Sequence, residues 1–149
     1  MSDIRIREMT ETDLSWVMPI EEASFSVPWS EKSYRDFLQR DDTVFLAAID
    51  KKEDIPVGFC ALLLSLDEAD VLNVAVDKAR RGEGIAKRMF EELMRQADEK
   101  GILRIFLEVR ESNEPAIRLY RGAGFEQVGI RKNYYDKPRE NALLMRRGD

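Results

Sequence analysis

Apolar and polar residues alternate at the start of the chain, in DIRIREM (3–9), with the period of two that marks a half-buried strand. From Leu14 the period lengthens: Leu14, Val17, Met18 and then Ala23 predict a helix, capped by Thr12 and disturbed at Pro19. A second helix follows in PWSEKSYRDFL, where Ser30 suits the N-cap and Tyr34, Phe37 and Leu38 share a face. TVFLAAI (43–49) and VGFCALLLSL (57–66) are unbroken apolar runs joined by the polar turn DKKEDIP, the pattern of a hairpin. VLNVAV (71–76) is a further apolar strand. Helical spacing returns with Ile85, Met89, Phe90, Leu93, Met94 and Ala97, and Lys100-Gly101 provides a stop. ILRIFLEV (102–109) is strand-like, and Ala116, Leu119, Tyr120 and Ala123 mark a short helix ended by Gly124. FEQVGI and ALLM close the chain as strands. The order β-α-α-β-β-β-α-β-α-β-β describes a mixed α/β (α+β) domain with a largely antiparallel first half.

Composition narrows what such a domain can do. A chain of 149 residues suffices for one domain, residues 1–149, and no repeat or linker divides it. Apolar residues make up 44% and charged residues 36%, the balance of a soluble globular protein. No apolar run approaches the roughly 18 residues of a membrane span. MSDIRIREM lacks a hydrophobic signal segment, and the single cysteine, Cys60, cannot form an intrachain disulfide, so a cytoplasmic protein is expected. Histidine is absent, which removes Ser-His-Asp triads, Cys-His pairs and almost all catalytic zinc sites; no metal is expected. Any acid or base must be a carboxylate, tyrosine, lysine, the lone thiol or water. A net charge of −5 argues against general nucleic-acid binding.

Against that acidic background RRGEGIAKRMFEELMRQA (80–97) stands out. A strand, a glycine turn and a helix start make an anion site, because free backbone N–H groups and the helix dipole converge there. Arg80, Arg81, Lys87 and Arg88 are expected to reinforce it. A Walker loop is absent, and a dinucleotide fingerprint would need a third glycine where Lys87 stands. By itself the stretch also fits a helix start with solvated charges.

The spacing Arg81, Gly84, Ala86, with Gly82 inside it, resembles the Q/R-x-x-G-x-G/A acetyl-CoA pyrophosphate loop of the GNAT acetyltransferases. LEVRESNEPAIRLYRGAGF (107–125) resembles that family's later half, with N-x-x-A-x-x-L-Y and G-F. PWSEK (28–32), DEADVLNVAVDKARRGEGIA (67–86) and RKNYY (131–135) extend the likeness to the bacterial ribosomal-protein N-terminal alanine acetyltransferases, the RimI type. The tetrapeptide DEAD is a chance match to helicases, which need a Walker lysine and more chain. The resemblance implies a single-domain GNAT fold, a mixed and mostly antiparallel sheet flanked by helices, with acetyl-CoA as cosubstrate. It assigns the pyrophosphate loop to Arg81, Gly82, Glu83, Gly84, Ile85, Ala86 and Lys87. It also implies that the backbones of Val74, Ala75 and Val76 line the pantetheine arm and polarise the thioester carbonyl. Asn113 is assigned a contact with the CoA chain, although its position equally suits a helix cap.

Acetyl transfer to an amine needs a held thioester, a neutral amine, a stabilised oxyanion and a proton for the leaving thiolate. An N-terminal α-amine, with a pKa of about 7.7–8.0 against about 10.4 for lysine, is the cheaper to deprotonate. Glu108 matches the glutamate that RimI-type enzymes use as base; its strand position also fits a surface residue paired with Arg104 or Arg110. Tyr120 matches the tyrosine of A-x-x-L-Y and is the candidate acid, while sharing a core-facing stripe with Ala116, Leu119 and Ala123. Cys60, inside VGFCALLL with no histidine to activate it, is not a nucleophile. FSVPWS (25–30), with Trp29, and NYYDKP (133–138) are aromatic, turn-rich loops suited to gripping a peptide end or to anchoring themselves. The resemblance puts Tyr134 and Tyr135 beside the substrate terminus. Two departures stand out: Lys78, where close relatives carry proline, and the MRRGD end. The expected activity is N-α-acetylation of a protein, with a ribosomal-protein N-terminal alanine as acceptor and neither nucleic acid nor membrane as partner. A small-amine acetyltransferase and a non-catalytic acyl-CoA-binding module remain alternatives.

Overall fold

In the computed structural model, which describes residues 3–149, the predicted strands join one sheet. Among the described residues these are β1 (Ile4–Glu8), β2 (Thr43–Asp50), β3 (Ile55–Ser65), β4 (Glu68–Val76), β5 (Arg104–Arg110), β6 (Glu126–Tyr135) and β7 (Glu140–Arg147). Their order across the sheet is β1-β2-β3-β4-β5-β7-β6, and every neighbouring pair is antiparallel except β4–β5. The helices are α1 (Leu14–Ser24), α2 (Glu31–Leu38), α3 (Ile85–Glu99) and α4 (Glu114–Gly122). None of the described helices is long and apolar enough to cross a membrane.

The unbroken apolar runs of β2 and β3 follow from the layering. Leu46, Cys60 and Leu62 pack with Met89, Phe90 and Leu93 of α3 and with Ile117 and Tyr120 of α4. On the other face Phe45, Ala47, Ile49, Phe59 and Ala61 pack with Leu14, Val17 and Ile20 of α1 and Tyr34 of α2. A strand covered on both faces has no polar side to show.

Local signals were read correctly in kind and shifted in place. Thr10, not Thr12, starts the first helical stretch: it caps a 3-10 turn, Glu11–Asp13, through a capping box with Asp13, and α1 follows directly. Burial would raise the Asp13 carboxyl, but hydrogen bonds from Arg7 and the Thr10 amide outweigh it and hold the carboxyl below its usual range. Pro19 does not end α1. Val17 on one side of it and Ile20 and Glu21 on the other are buried, and that packing outweighs one missing hydrogen bond. Ser30 caps α2 as expected, accepting from the Ser33 amide at 3.1 Å. β6 runs on to Tyr135, which pairs with Glu140, so Asn133, Tyr134 and Tyr135 are strand residues rather than part of a loop.

One irregularity positions the site. β4 and β5 pair over three positions only, Glu68↔Arg104, Ala69↔Ile105 and Asp70↔Phe106. Beyond Asp70, β4 follows β3, with a register shift between Leu62↔Val71 and Cys60↔Val74, while β5 follows β7. Two strands that start as neighbours thus diverge and leave a V-shaped opening within the sheet.

Candidate active site

The arms of this V are strand edges. From Val71 to Val76 on one side and Leu107 to Arg110 on the other, backbone groups facing the opening have no ladder partner across it. Such groups are obligatory hydrogen-bonding sites, so an extended, amide-bearing ligand can pair with them as a strand would. Val74 is half-buried, and Ala75 and Val76 are buried.

Beyond β4 the chain makes a 3-10 turn, Lys78–Arg80, and reaches α3 through two left-handed glycines, Gly82 at φ +84° and Gly84 at φ +79°. A Cβ at either would meet nothing within 4 Å, so the backbone angle rather than crowding calls for glycine. Gly84 is the N-cap of α3, with no capping side chain and no acidic residue in the first turn. The amides of Ile85, Ala86 and Lys87 are therefore available to an anion. Lys87 is exposed on this turn, and Arg81 donates from Nε to the Val76 carbonyl at 3.3 Å.

The expected cluster of four cations is smaller than it looked. Arg80 donates to Asp50 at 2.6 Å and to Glu83 at 3.1 Å, and Arg88 donates to the Ile4 carbonyl at 3.0 Å. Asp50 also accepts from the amides of Lys52 and Glu53, closing the β2–β3 turn. The Arg80 guanidinium and those amides hold its carboxyl below the usual range. Glu83, bound to Arg80, has its charge offset beside the glycine turn.

Glu108 lies on the β5 arm opposite Leu144 of β7, its side chain 33% exposed. Neither expected partner binds it. Arg104 is taken by Glu68, its neighbour across the β4–β5 ladder, at 2.8 Å. Arg110 is taken by Glu140 and the β6–β7 turn. The partner is Arg131 of β6, at 3.5 Å. Arg131 also lies 4.8 Å from the Tyr134 ring, which meets the Tyr135 ring edge-on at 5.1 Å. Burial first and the Glu108 carboxylate next push the Tyr135 phenol up to about 12. Glu108, Tyr134 and Tyr135 therefore share one cluster.

Tyr120 is a buried residue of α4. Its ring packs between Phe90 at 5.2 Å and Phe125 at 6.1 Å, so it is a core tyrosine as its helical stripe foretold. Its hydroxyl has no protein hydrogen bond among the described residues, and burial, with Cys60 and Tyr135 following, pushes the phenol well up. Cys60 is fully buried and its thiol is likewise pushed up by burial, an inert environment. Asn113 caps α4, accepting from the Ala116 amide at 3.3 Å. Trp29 is half-buried, stacked on Phe37 at 5.0 Å and tilted against Tyr34 at 5.3 Å, which anchors the 25–30 loop to α2.

The sequence reading passed over Glu21. It is fully buried and accepts from the Tyr34 hydroxyl at 2.5 Å, the Trp29 amide at 2.8 Å and Asn73 Nδ2 at 3.0 Å. Its signal was there: Glu21 lies four residues after Val17 and seven after Leu14, inside the apolar stripe of α1. Asn73 belongs to the irregular stretch of β4, so the network ties the 25–30 loop to one arm of the V.

The chain is similar to known acetyltransferases. The model of the Acetyltransferase (GNAT) family matches residues 15–125. A [ribosomal protein bS18]-alanine N-acetyltransferase of Haemophilus ducreyi is 38% identical over 143 residues, covering 94% of this chain and 97% of its own. The crystal structure of the ribosomal-protein-S18-alanine N-acetyltransferase from Escherichia coli superposes with a TM-score of 0.88 at 32% identity, covering 97% of this chain and 92% of that one. A chain of the NatC complex, solved with Gag peptide and CoA, superposes with a TM-score of 0.87 at 25% identity, covering 100% and 99%.

Proposed function

The chain belongs to the GNAT acetyltransferase family, and we propose that it moves the acetyl group of acetyl-CoA to the α-amine of a protein N-terminus, an alanine of a ribosomal protein. The observation that carries this reading is the divergence of β4 and β5, with Glu108 on one arm and the uncapped start of α3 beyond the other. The whole chain, residues 1–149, serves as the transferase domain. The acceptor is a protein end met in the cytoplasm; neither nucleic acid nor membrane takes part, and no metal is needed.

In this reading the amides from Gly82 to Lys87 and the Lys87 and Arg81 side chains hold the pyrophosphate, as the helix-start geometry favours. The edge of β4 at Val74, Ala75 and Val76, apart from the Val76 carbonyl that accepts from Arg81, pairs with the amides of the pantetheine arm and draws charge onto the thioester oxygen. Asn113 keeps its capping role and offers its remaining hydrogen-bonding capacity to the CoA chain. Glu108 takes a proton from the incoming ammonium, directly or through one water, so that the neutral amine forms the C–N bond as the C–S bond breaks. Tyr120, kept protonated by burial, donates its O–H to the leaving sulfur. Tyr134 and Tyr135 flank the acceptor end, and Trp29 steadies the facing loop.

Mass spectrometry of acetyl transfer to matched peptides, with free or blocked N-termini and an internal lysine, tests the reading. Acetylation confined to free α-amines, with alanine favoured, supports it. Transfer to small amines alone overturns the acceptor, and CoA binding without transfer to anything overturns the enzyme.

Two substitutions separate the parts. Tyr120→Phe keeps the packed ring and is expected to lower kcat about 100-fold with little change in melting temperature, read by single-turnover assay beside thermal unfolding. Gly84→Ala forces a Cβ into left-handed backbone at a cost of about 1–2 kcal/mol. Isothermal titration is expected to show several-fold weaker acetyl-CoA binding, with acceptor KM unchanged.

A further inference from the structure

Arg110 ends β5 two residues beyond Glu108, and its guanidinium gathers segments that are far apart in the chain. Nη1 donates to the Pro138 carbonyl at 2.9 Å and to Glu140 Oε1 at 3.1 Å. Nη2 donates to Ser26 Oγ at 3.1 Å and to the Asp136 carbonyl at 3.0 Å. The same group lies 4.4 Å from the Tyr135 ring centroid. The direct contact between the two connections is long, Ser26 Oγ to the Asp136 carbonyl at 3.4 Å. Arg110 therefore carries most of the hydrogen bonding that joins the α1–α2 connection to the β6–β7 turn.

We propose that Arg110 is the positioning residue of the acceptor channel: it fixes the gap between the two connections, and the Tyr135 ring within it, over the approach to Glu108. This rests on the N-terminal transferase reading. The chemistry of the side chain suits the task. A planar fork can serve a carboxylate, two carbonyls and a hydroxyl while stacking on an aromatic face, and a lysine ammonium cannot. The connections are also held from their outer ends, since Glu21 binds the Trp29 amide and Glu140 binds the Ser112 amide at 2.7 Å. Arg110 is thus the point at which two separately anchored loops become one wall. Among the described residues its hydrogen bonds and its ring contact go to Ser26, Tyr135, Asp136, Pro138 and Glu140 rather than to the start of α3, so the nucleotide end of the site is expected to be independent of it.

The test compares Arg110→Lys, Arg110→Met and the milder Ser26→Ala with wild type by amide hydrogen exchange and by steady-state kinetics. Exchange is expected to rise together over 25–30 and 133–140 in both Arg110 variants and to stay unchanged over 82–90. Acceptor KM is expected to rise about tenfold, with acetyl-CoA KM unchanged and kcat altered by less than about threefold. Ser26→Ala, which removes both bonds of the Ser26 hydroxyl but leaves Arg110 bound to Asp136, Pro138 and Glu140, is expected to loosen 25–30 alone. Unchanged exchange in either connection overturns the clamp. A parallel rise of both KM values with general loss of protection overturns the positioning role in favour of simple destabilisation. If wild type acetylates no peptide α-amine, the transferase reading falls by itself, and the exchange data still decide whether Arg110 couples the loops.

Discussion

Glu108→Gln is expected to lower kcat for peptide acetylation by about 100- to 1,000-fold at neutral pH, with acetyl-CoA affinity nearly unchanged. The amide keeps the size of the side chain and its place on β5 opposite Leu144, but cannot accept a proton. What else it loses is small: the pair with Arg131 spans 3.5 Å, with both side chains well exposed, and such pairs contribute about 0–1 kcal/mol. Stability is therefore expected to hold, so a lost rate reports chemistry. The pH profile makes the test sharper. An α-amine titrates near pH 8, so above that pH the acceptor arrives neutral and the base has less to do. The variant's deficit should shrink as pH rises through that range. If Glu108→Gln keeps a third or more of the wild-type rate at pH 7, or if its deficit is the same at every pH, Glu108 is not the base.

The largest expected effect on stability comes from Glu21→Ala. Its carboxylate has no exposed surface, and donors on three elements converge on it: Tyr34 on α2, the Trp29 amide and Asn73 on β4. Removing it leaves the Trp29 amide and the Tyr34 hydroxyl without an acceptor and opens a cavity. Each orphaned buried donor costs about 1–3 kcal/mol, so a total of about 3–4 kcal/mol is expected. For a chain of this size that is roughly 6–15 °C in melting temperature, readable by thermal or denaturant unfolding. Glu21→Gln, which keeps one acceptor oxygen, should lose less than half as much. Because the Trp29 amide is released, acceptor KM should also rise in the surviving fold. A Glu21→Ala protein as stable as wild type would mean that the donors find other partners and the network is incidental.

Much of the fold was legible because its signals are local. The helical spacing of Ile85, Met89, Phe90, Leu93, Met94 and Ala97 depends on a period of 3.6 residues, and those six are the buried residues of α3. The apolar runs at 43–49 and 57–66 became β2 and β3, buried on both faces as far as Leu62, whereas Leu66 falls in the turn after β3 and is exposed. Gly82 and Gly84 could be read as a turn before a helix, and both take left-handed angles. Thr12 misled, and Pro19 disturbs α1 without ending it, for a related reason. A cap two residues upstream and packing on both sides of a proline are decided by what the helix meets, not by the residue type.

The candidate site was legible in its residue types and much less in its partners. That Glu108 and Tyr120 were worth attention came from motifs; that Glu108 faces Arg131, 23 positions away, could not, because period two within β5 offered Arg104 and Arg110 instead. Arg80 and Arg88 looked like part of a phosphate cradle until Asp50 and the Ile4 carbonyl claimed them from other strands. The number and order of the elements, the glycine turn and the charges near it are local properties of the chain. That β4 and β5 part after three pairs, that Glu21 gathers three donors and that Arg110 bonds to two loops follow from how distant segments pack. Periodicity reports neighbours two to four residues apart. Partners tens of residues apart are set by sheet register and by competition among many similar charges, which a linear pattern does not encode.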